Sequence, residues 1–501
     1  MTVGRIDLRE PARPIARQQR LPAVRWIVGI VLFASALGML FSDSPIAVLA
    51  CGAALVAIIL LLWRPNDLPI FLLPVIFQWS QVAVKPLLTI VYDRPIDRVL
   101  DFGFHLQTGT EAAAVFGFAG VTSLAFGVWL GSGRASLYSE RALRLEAQTW
   151  NGGLMLRLTL GAIVLGRAAT ALASLSGSAY QIVVVFSGIE FVGLFAFAYW
   201  CFANRTGYRY LFAIMTFEIL SGLTGFFADF RLPLVVLAAA ALAARPTFRL
   251  SSIAFMASLA AVIVLLATFW SEIKTDYRRF VTEGSGGQVV MQSLDARLGY
   301  IYDAAAGFDT AQFADGFNKL LSRHSYIDFL GATMNYVPSM VPHEDGRLVG
   351  MAFMNMLMPR ILFPDKPPLP DDTQITSEYT GIDFYSAQDT SISIGYLGEL
   401  YIDFGYVGAL IAAAVIGAAL GFGYRILRDY DRVPRLISYG VCTLLALSFM
   451  DFGTALIKSI NGAVLAFGAA FIIQRFIAPR GLSMLLKYRR PQVPASTVQR
   501  R

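Results

Sequence analysis

Charged residues are scarce in this chain of 501 residues: they make up 15% of it, whereas soluble proteins carry about a quarter. Hydrophobic residues account for 56%, and the mean hydropathy is +0.59. A water-soluble globule of this length needs more polar surface than this composition provides. The same numbers exclude an intrinsically disordered chain, which is poor in apolar residues. The composition therefore predicts an all-α integral membrane protein.

Cysteine is also scarce, and its three positions exclude two classes of site. Cys51, Cys201 and Cys442 all lie inside apolar runs and lack the spacing of a zinc site or a disulfide framework. The sequence has no P-loop, no GxGxxG that opens a helix, no HExxH and no GxSxG. We therefore expect no cofactor and no metal. Any energy for a reaction would come from the substrate itself or from a gradient.

About 12 apolar runs are long enough to cross a bilayer, which needs about 20 residues for each span. We place nine spans in residues 26–270 and three in residues 395–474, between two basic tails, 1–25 and 475–501. When the spans are counted alternately, the arginine-rich connections fall on the same side as the two tails, as at Arg134, Arg205 and Arg245. The positive-inside rule then predicts two cytoplasmic termini, and the net charge of +7 reflects topology rather than nucleic-acid binding.

One insertion, residues 271–394, falls on the opposite side and is predicted to be a large periplasmic loop. It holds 16 acidic and 9 basic residues, so the rest of the chain carries the positive charge. Phe313, Phe317 and Leu321 recur at helical spacing and predict an amphipathic helix on the membrane face. A segment of this length is typical of a functional element rather than a plain connection.

The second half of this loop has two further features. Residues 348–358 form an apolar run too short to span, which predicts an interfacial or re-entrant helix. The stretch from Pro370 to Ser393 is rich in Ser, Thr and Asp, so we expect irregular loop there. Asp365, Asp371 and Asp372 lack the periodicity of a cation site, and we expect them to be solvated.

Two glycine pairs, Gly127/Gly131 and Gly417/Gly421, have the GxxxG spacing that predicts close packing of membrane helices. Other spans carry cations, which are costly in a bilayer and usually face a polar cavity or a partner. Lys85, Arg167 and Lys458 lie about 10 Å inside the outer ends of their spans at 1.5 Å per residue. Arg231 lies at the outer turn of a short hairpin.

These four cations together predict a site for an anionic headgroup, most naturally a lipid-linked phosphate or pyrophosphate. For single residues other interpretations stay open. Arg167 can pair with Glu190 or Glu218 at a similar depth, and lysines near a helix end can extend to the interface. In the outer loop, Arg323 and His324 follow the amphipathic helix. A histidine beside an arginine can act as a general base of lowered pKa, or it can be a solvated surface residue.

Residues 359–408 resemble bacterial oligosaccharide repeat-unit polymerases of the Wzy type. The shared pattern is PRILFPDKPP, followed by SISIGYLGELYIDFGYVG leading into a span. Arg360, Lys366, Glu399 and Tyr401 occupy positions of this pattern. The resemblance implies a GT-C-like polymerase/ligase architecture in the bacterial inner membrane, with an active site facing the periplasm.

The resemblance also implies a glycosyltransferase activity that joins repeat units carried on undecaprenyl pyrophosphate. A hydroxyl of one lipid-linked unit attacks the anomeric carbon of the other chain, and undecaprenyl pyrophosphate leaves. Arg231, Arg360 and Lys366 would bind the pyrophosphate and stabilise it as the leaving group. Glu399 or His324 would accept the proton. A chain-length regulator and a flippase of the same pathway are implied partners, beside the lipid bilayer.

Alternatives remain for residues and for function. Glu399 can simply oppose the dipole at a helix start, and Tyr401 can stack on sugar or anchor at the interface. A close rival function is an O-antigen ligase, which uses the same donor. A polysaccharide flippase would be expected to show two similar halves with sites at the midplane, whereas this chain is asymmetric.

Overall fold

The structure is a computed structural model of the chain. It describes residues 17–64, 67–92, 94–100, 109–133, 140–226, 230–244, 250–284, 290–358, 363, 365–366, 371–384 and 392–480. Every regular element within these ranges is a helix, so the all-α class is confirmed. Before the large loop these are α1 (Arg17–Met39), α2 (Pro45–Leu62), α3 (Leu72–Tyr92), α4 (Thr110–Gly131), α5 (Glu140–Gln148), α6 (Gly152–Leu175), α7 (Tyr180–Val184), α8 (Ile189–Asn204), α9 (Tyr208–Leu223), α10 (Arg231–Ala244) and α11 (Leu250–Val281).

The remaining helices belong to the loop and to the C-terminal bundle. They are α12 (Leu294–Ala306), α13 (Thr310–His324), α14 (Ile327–Tyr336), α15 (Arg347–Leu357), α16 (Asp372–Thr380), α17 (Tyr396–Arg428), α18 (Arg435–Leu447) and α19 (Leu456–Ile472). Eight stretches of the described chain are long and apolar enough to cross a membrane. They are Pro45–Leu62, Leu72–Tyr92, Thr110–Gly131, Gly152–Ala173, Tyr180–Asn204, Ser251–Val281, Tyr396–Arg428 and Leu456–Arg480. Other expected spans correspond to shorter apolar helices, such as α10 and α18.

The close helix packing predicted from the two GxxxG pairs is confirmed, because α4 and α17 cross at these glycines. A Cβ added to Gly127 would lie 2.0 Å from the Ala414 carbonyl oxygen, and one added to Gly417 would lie 2.2 Å from that of Leu124. Neither position leaves room for a side chain. Close backbone approach of this kind is how membrane helices associate where no hydrophobic effect drives them together.

The large loop is mostly helical, and it packs on one end of the bundle, which we call the loop end. The predicted amphipathic helix is confirmed as α13, which begins with a capping box formed by Asp309 and Gln312 and packs against α11. The short apolar run is helical, as predicted, and forms α15, which packs against α19.

The expectation of irregular loop after Pro370 is wrong, because residues 372–380 form α16. Asp371 caps its N-terminus by accepting a hydrogen bond from the Thr373 backbone N–H, and Gly381 ends it at φ 69°. The solvated assignment of Asp372 is also wrong, since its side chain is buried against Lys458. Cap and stop signals were present in this segment, but its polar composition masked them.

The helix that carries the family-like motif is broken at one residue. Gly405 has φ 65° and ψ −167°, a left-handed backbone conformation that favours glycine, and it separates a short N-terminal part of α17 from a longer C-terminal part. The C-terminal part, residues 406–428, is long enough to cross a bilayer. The short part presents Glu399, Tyr401 and Asp403 to the helices of the loop end.

Candidate anion-binding site

Three of the cations predicted to hold a headgroup are engaged in ion pairs. The Lys85 Nζ lies 2.6 Å from Asp328 Oδ1, and both side chains are buried. Lys458 is half-exposed and pairs with the buried Asp372. Each of the two buried carboxylates needs a matching charge, so these lysines hold α14 and α16 onto the bundle. We therefore give them no part in the anion site.

Arg167 has the pairing that its depth in the span suggested. Its Nη2 lies 2.5 Å from Glu218 Oε2, and its Nε lies 3.4 Å from Glu190 Oε2. One guanidinium thus joins α6, α8 and α9. With two carboxylates around it, Arg167 has little net charge to offer an anionic substrate.

Lys366 lies at the end of the short apolar helix. Its Nζ donates hydrogen bonds to the carbonyls of Asn355 and Met358, at 2.7 and 2.8 Å. These carbonyls belong to the C-terminal turn of α15, where a cation is favourable to the helix dipole. Arg360, the other cation of the family-like motif, lies outside the described residues.

Four cations lie close together at the loop end, and the acidic residues described around them neutralise their positive charge only in part. They are Arg231 at the start of α10, Lys274 and Arg278 near the end of α11, and Arg323 in the last turn of α13, and we call them the basic cluster. The positive charges of the three arginines all act on Lys274. Lys274 has no hydrogen-bond or ion-pair partner among the described residues.

The acidic neighbours of the basic cluster do not neutralise it. Asp451 Oδ2 lies 3.9 Å from Arg231 Nη2, at the limit of an ion pair, and the Arg231 side chain is 48% exposed. Glu272 is engaged by Lys319 at 2.8 Å. Four converging cations with this little matching charge repel one another, and a bound anion would relieve that repulsion.

His324, the last residue of α13, lies beside the basic cluster. Its side chain packs against the turn of α3 that contains Phe77 and Ser80. Its Nε2 is 2.8 Å from Ser80 Oγ, and its ring packs edge-on against Phe77 with centroids 5.0 Å apart. Burial lowers the pKa of His324 to about 4; the charge of Asp451 opposes this shift and that of Arg231 adds to it. The imidazole is therefore neutral near pH 7, as a proton acceptor must be.

Glu399, the other predicted base, is a structural cap in this geometry. Its side chain is 4% exposed, and Oε2 accepts a hydrogen bond from the Leu456 N–H at 3.1 Å. Leu456 is the first residue of α19, so the carboxylate meets the positive end of that helix dipole. Glu399 therefore has a partner that accounts for its burial. In the part of the chain that the structure describes, one ring nitrogen of His324 has no hydrogen-bond partner.

Tyr401 and Asp403 also have partners inside the protein. The Tyr401 hydroxyl donates to the Val337 carbonyl at 3.0 Å, and its ring is buried, which leaves no face for stacking on a sugar. Asp403 accepts backbone hydrogen bonds from Leu348 and Val349 at 3.0 and 2.8 Å and so caps α15. The short part of α17 thus organises the loop end rather than lining an open site.

Sequence reasoning missed Lys274, Arg278 and Asp451. Lys274 and Arg278 lie just beyond residue 270, where the apolar run of α11 ends, and nothing in the sequence distinguished them from the other charged residues of the outer loop. Yet Lys274 and Arg278 are four residues apart and share one face of a helix that continues to Val281. Asp451 offered a weaker signal, as a single acid between two apolar helices. Its Oδ1 accepts a hydrogen bond from Gln81 Nε2 at 2.7 Å.

Comparisons with known proteins do not assign the chain to a family. No family model, curated protein or solved structure matches it. In the described part of the chain, no group of three or more His, Cys, Asp or Glu side chains could hold a metal ion. The geometry of the basic cluster and His324 is therefore the evidence on which a functional proposal depends.

Proposed function

We propose that the protein is a glycosyltransferase that polymerises oligosaccharide repeat units carried on undecaprenyl pyrophosphate. The observation that carries this proposal is the basic cluster beside a neutral histidine at the loop end. Cations with little matching charge suit a diphosphate, and a partly buried neutral imidazole suits proton transfer from a hydroxyl. The resemblance of residues 359–408 to Wzy-type polymerases supports the same donor chemistry.

The proposal includes an arrangement in the bacterial inner membrane. It has about 12 spans in a GT-C-like architecture, two cytoplasmic termini, and residues 271–394 in the periplasm, in accordance with the arginine distribution. Reporter fusions at Gln148 and Gly346 test this arrangement. We expect the first reporter to be cytoplasmic and the second periplasmic. Reporters in the same compartment would contradict the topology and with it the side of the active site.

In the proposed reaction the basic cluster holds the donor pyrophosphate. The bond between the anomeric carbon and the pyrophosphate oxygen breaks, and a glycosidic bond forms to the hydroxyl oxygen of the second chain. The hydroxyl proton passes to His324, and undecaprenyl pyrophosphate departs with the bonding electron pair. Fixed cations at the departing oxygens stabilise the charge that develops there.

The test uses purified protein and lipid-linked repeat units, with polymer length resolved on a gel. We expect Arg323→Ala and Arg231→Ala to lower kcat/KM about 10- to 100-fold, the range for hydrogen bonds to charged groups. We expect His324→Ala to lower kcat by about 10²–10⁴-fold. Lys319→Ala is the matched control, because Lys319 lies on α13 but is already paired with Glu272.

Three results would contradict the proposal. Parent protein that binds the lipid-linked repeat but forms no polymer would exclude polymerase activity. Transfer of the saccharide to lipid A core, when this acceptor is added to the same assay, would identify the ligase instead, since both enzymes use this donor. Cluster variants as active as the Lys319→Ala control would show that the pyrophosphate binds elsewhere.

A further inference from the structure

One hydroxyl in α3 determines which nitrogen of His324 carries a proton. Ser80 Oγ donates a hydrogen bond to the Phe77 carbonyl at 2.7 Å, the bond that a helical serine makes back to the preceding turn. A hydroxyl has a single proton and two lone pairs. With that proton given to Phe77, Ser80 can only accept from the imidazole.

The second contact of Ser80 then has a defined direction. His324 Nε2 lies 2.8 Å from Ser80 Oγ, so Nε2 carries the hydrogen and donates it. In a neutral imidazole one nitrogen donates and the other accepts. Nδ1 is therefore the basic nitrogen, and it has no hydrogen-bond partner among the described residues.

The ring is held in place by contacts beyond this hydrogen bond. Phe77 packs edge-on against the imidazole, and the same phenyl ring lies 5.9 Å from the Arg231 guanidinium carbon. Two residues after His324, the Tyr326 N–H donates a hydrogen bond to the Gln81 carbonyl at 3.3 Å. One turn of α3 thus fixes the ring, the chain that follows it and one member of the basic cluster.

We propose that Ser80 is a positioning residue that holds His324 in the Nε2–H tautomer, so that Nδ1 accepts the proton of the attacking hydroxyl. This inference rests on the proposed function for the role of the proton, but not for the tautomer. In the step, the hydroxyl proton passes to Nδ1 and the oxygen keeps its electron pair to form the glycosidic bond. The resulting imidazolium still donates from Nε2 to Ser80.

The first experiment measures the tautomer directly by ¹⁵N NMR of histidine-labelled protein in detergent at pH 7. The chain has three histidines, and His105→Gln and His343→Gln variants assign the His324 signals. We expect a protonated Nε2 and a bare Nδ1 in the parent. We expect Ser80→Ala to show both tautomers and Ser80→Thr to keep the parental one, because threonine retains the hydroxyl.

The second experiment measures rates of the same variants. Ser80→Ala should lower kcat by about tenfold with little change in KM, in line with loss of one hydrogen bond, whereas Ser80→Thr should stay close to the parent. The matched control is Ser35→Ala, because Ser35 makes the same kind of bond to the Val31 carbonyl, at 2.8 Å, in α1. This control should leave both the tautomer and kcat unchanged.

The two readouts separate failure of this inference from failure of the proposed function. A bare Nε2 in the parent, or an unchanged tautomer in Ser80→Ala, overturns the inference whatever the activity. A parental tautomer that shifts in Ser80→Ala without any change in kcat also overturns it, because Nδ1 would then not be the acceptor. A parent protein that makes no polymer overturns the proposed function. The tautomer of His324 is then still decided by the NMR spectra alone.

Discussion

The two ends of the helix bundle treat charge in opposite ways. At the loop end, the basic cluster brings four cations together with incomplete matching. At the other end, α17 finishes at Arg428, whose side chain is 1% exposed and whose Nη1 lies 2.7 Å from Asp67 Oδ2. The hydroxyls of Tyr424 and Tyr439 also donate to Asp67, at 2.7 and 3.2 Å. We call Asp67, Tyr424, Arg428 and Tyr439 the Asp67 network.

This difference distinguishes structural charge from charge available to a ligand. In the Asp67 network, every buried charge has a partner of opposite sign and further hydrogen bonds, as stable burial requires. In the basic cluster, the side chains remain partly exposed, and the acids among the described residues do not match them in this way. A cation that is already neutralised gains little from an anionic substrate, so the basic cluster is the better candidate for binding one.

The largest expected effect is on stability at the Asp67 network. Arg428→Met leaves the buried Asp67 carboxylate without its cation, and breaking a buried pair in this way costs about 3–5 kcal/mol of unfolding free energy. Chemical unfolding of purified protein in mild detergent measures the loss. The double variant Asp67→Asn, Arg428→Met should lose less, since no charge is left unpaired. A loss below about 1 kcal/mol for Arg428→Met would contradict the comparison.

Replacing a cation of the basic cluster by methionine should not lower the free energy of unfolding. Lys274→Met removes a charge that the three arginines repel, so the protein should be no less stable than the parent. Stabilisation by inorganic pyrophosphate should weaken, with affinity about 10- to 100-fold lower. Thermal shifts over a pyrophosphate titration measure both quantities. Lys319→Met is the control; equal pyrophosphate binding by the two variants would argue against the anion site.

A smaller effect is expected at Glu399, the base favoured by the motif. Glu399→Ala removes the cap of α19 and should cost about 1 kcal/mol of unfolding free energy. Glu399→Gln keeps an oxygen that can accept from Leu456, so its kcat should stay within about threefold of the parent. Polymerisation assays and unfolding curves of both variants measure this. A loss of about 10²-fold or more in Glu399→Gln would restore Glu399 as the general base.

The smallest effect is a displacement of the acid limb of kcat/KM. With a pKa of about 4, His324 is neutral above that pH, so the rate should fall only as the pH drops through it. Arg231→Gln removes a positive charge that lowers this pKa, so the limb should move to higher pH. Asp451→Asn should move it to lower pH. If the acid limb moved in the same direction in both variants, a group other than His324 would be titrating.

The sequence alone predicted the elements of the loop end better than its site. Helix α13 followed from apolar spacing, and close packing at the glycines of α4 and of α17 followed from glycine spacing, because both are local patterns. That these two helices pack against each other was decided by the tertiary structure. The pairing of Arg167 was one of two open interpretations. Helix α16 was missed although Asp371 and Gly381 flank it. The assignment of Lys85 and Lys458 to an anion site could not be judged locally, because Asp328 and Asp372 are distant in the chain.

Composition and periodicity depend on the transfer of side chains between water and an apolar phase, and each residue contributes to them independently of its distant neighbours. For this reason, the membrane class, the apolar helices and the importance of the large loop were readable from the sequence. Whether a cation is matched or available depends on distances of a few ångströms between segments hundreds of residues apart. Only the folded bundle placed Asp328 against Lys85, set Ser80 under His324 and left Lys274 among three arginines, since electrostatic interactions act through space rather than along the chain.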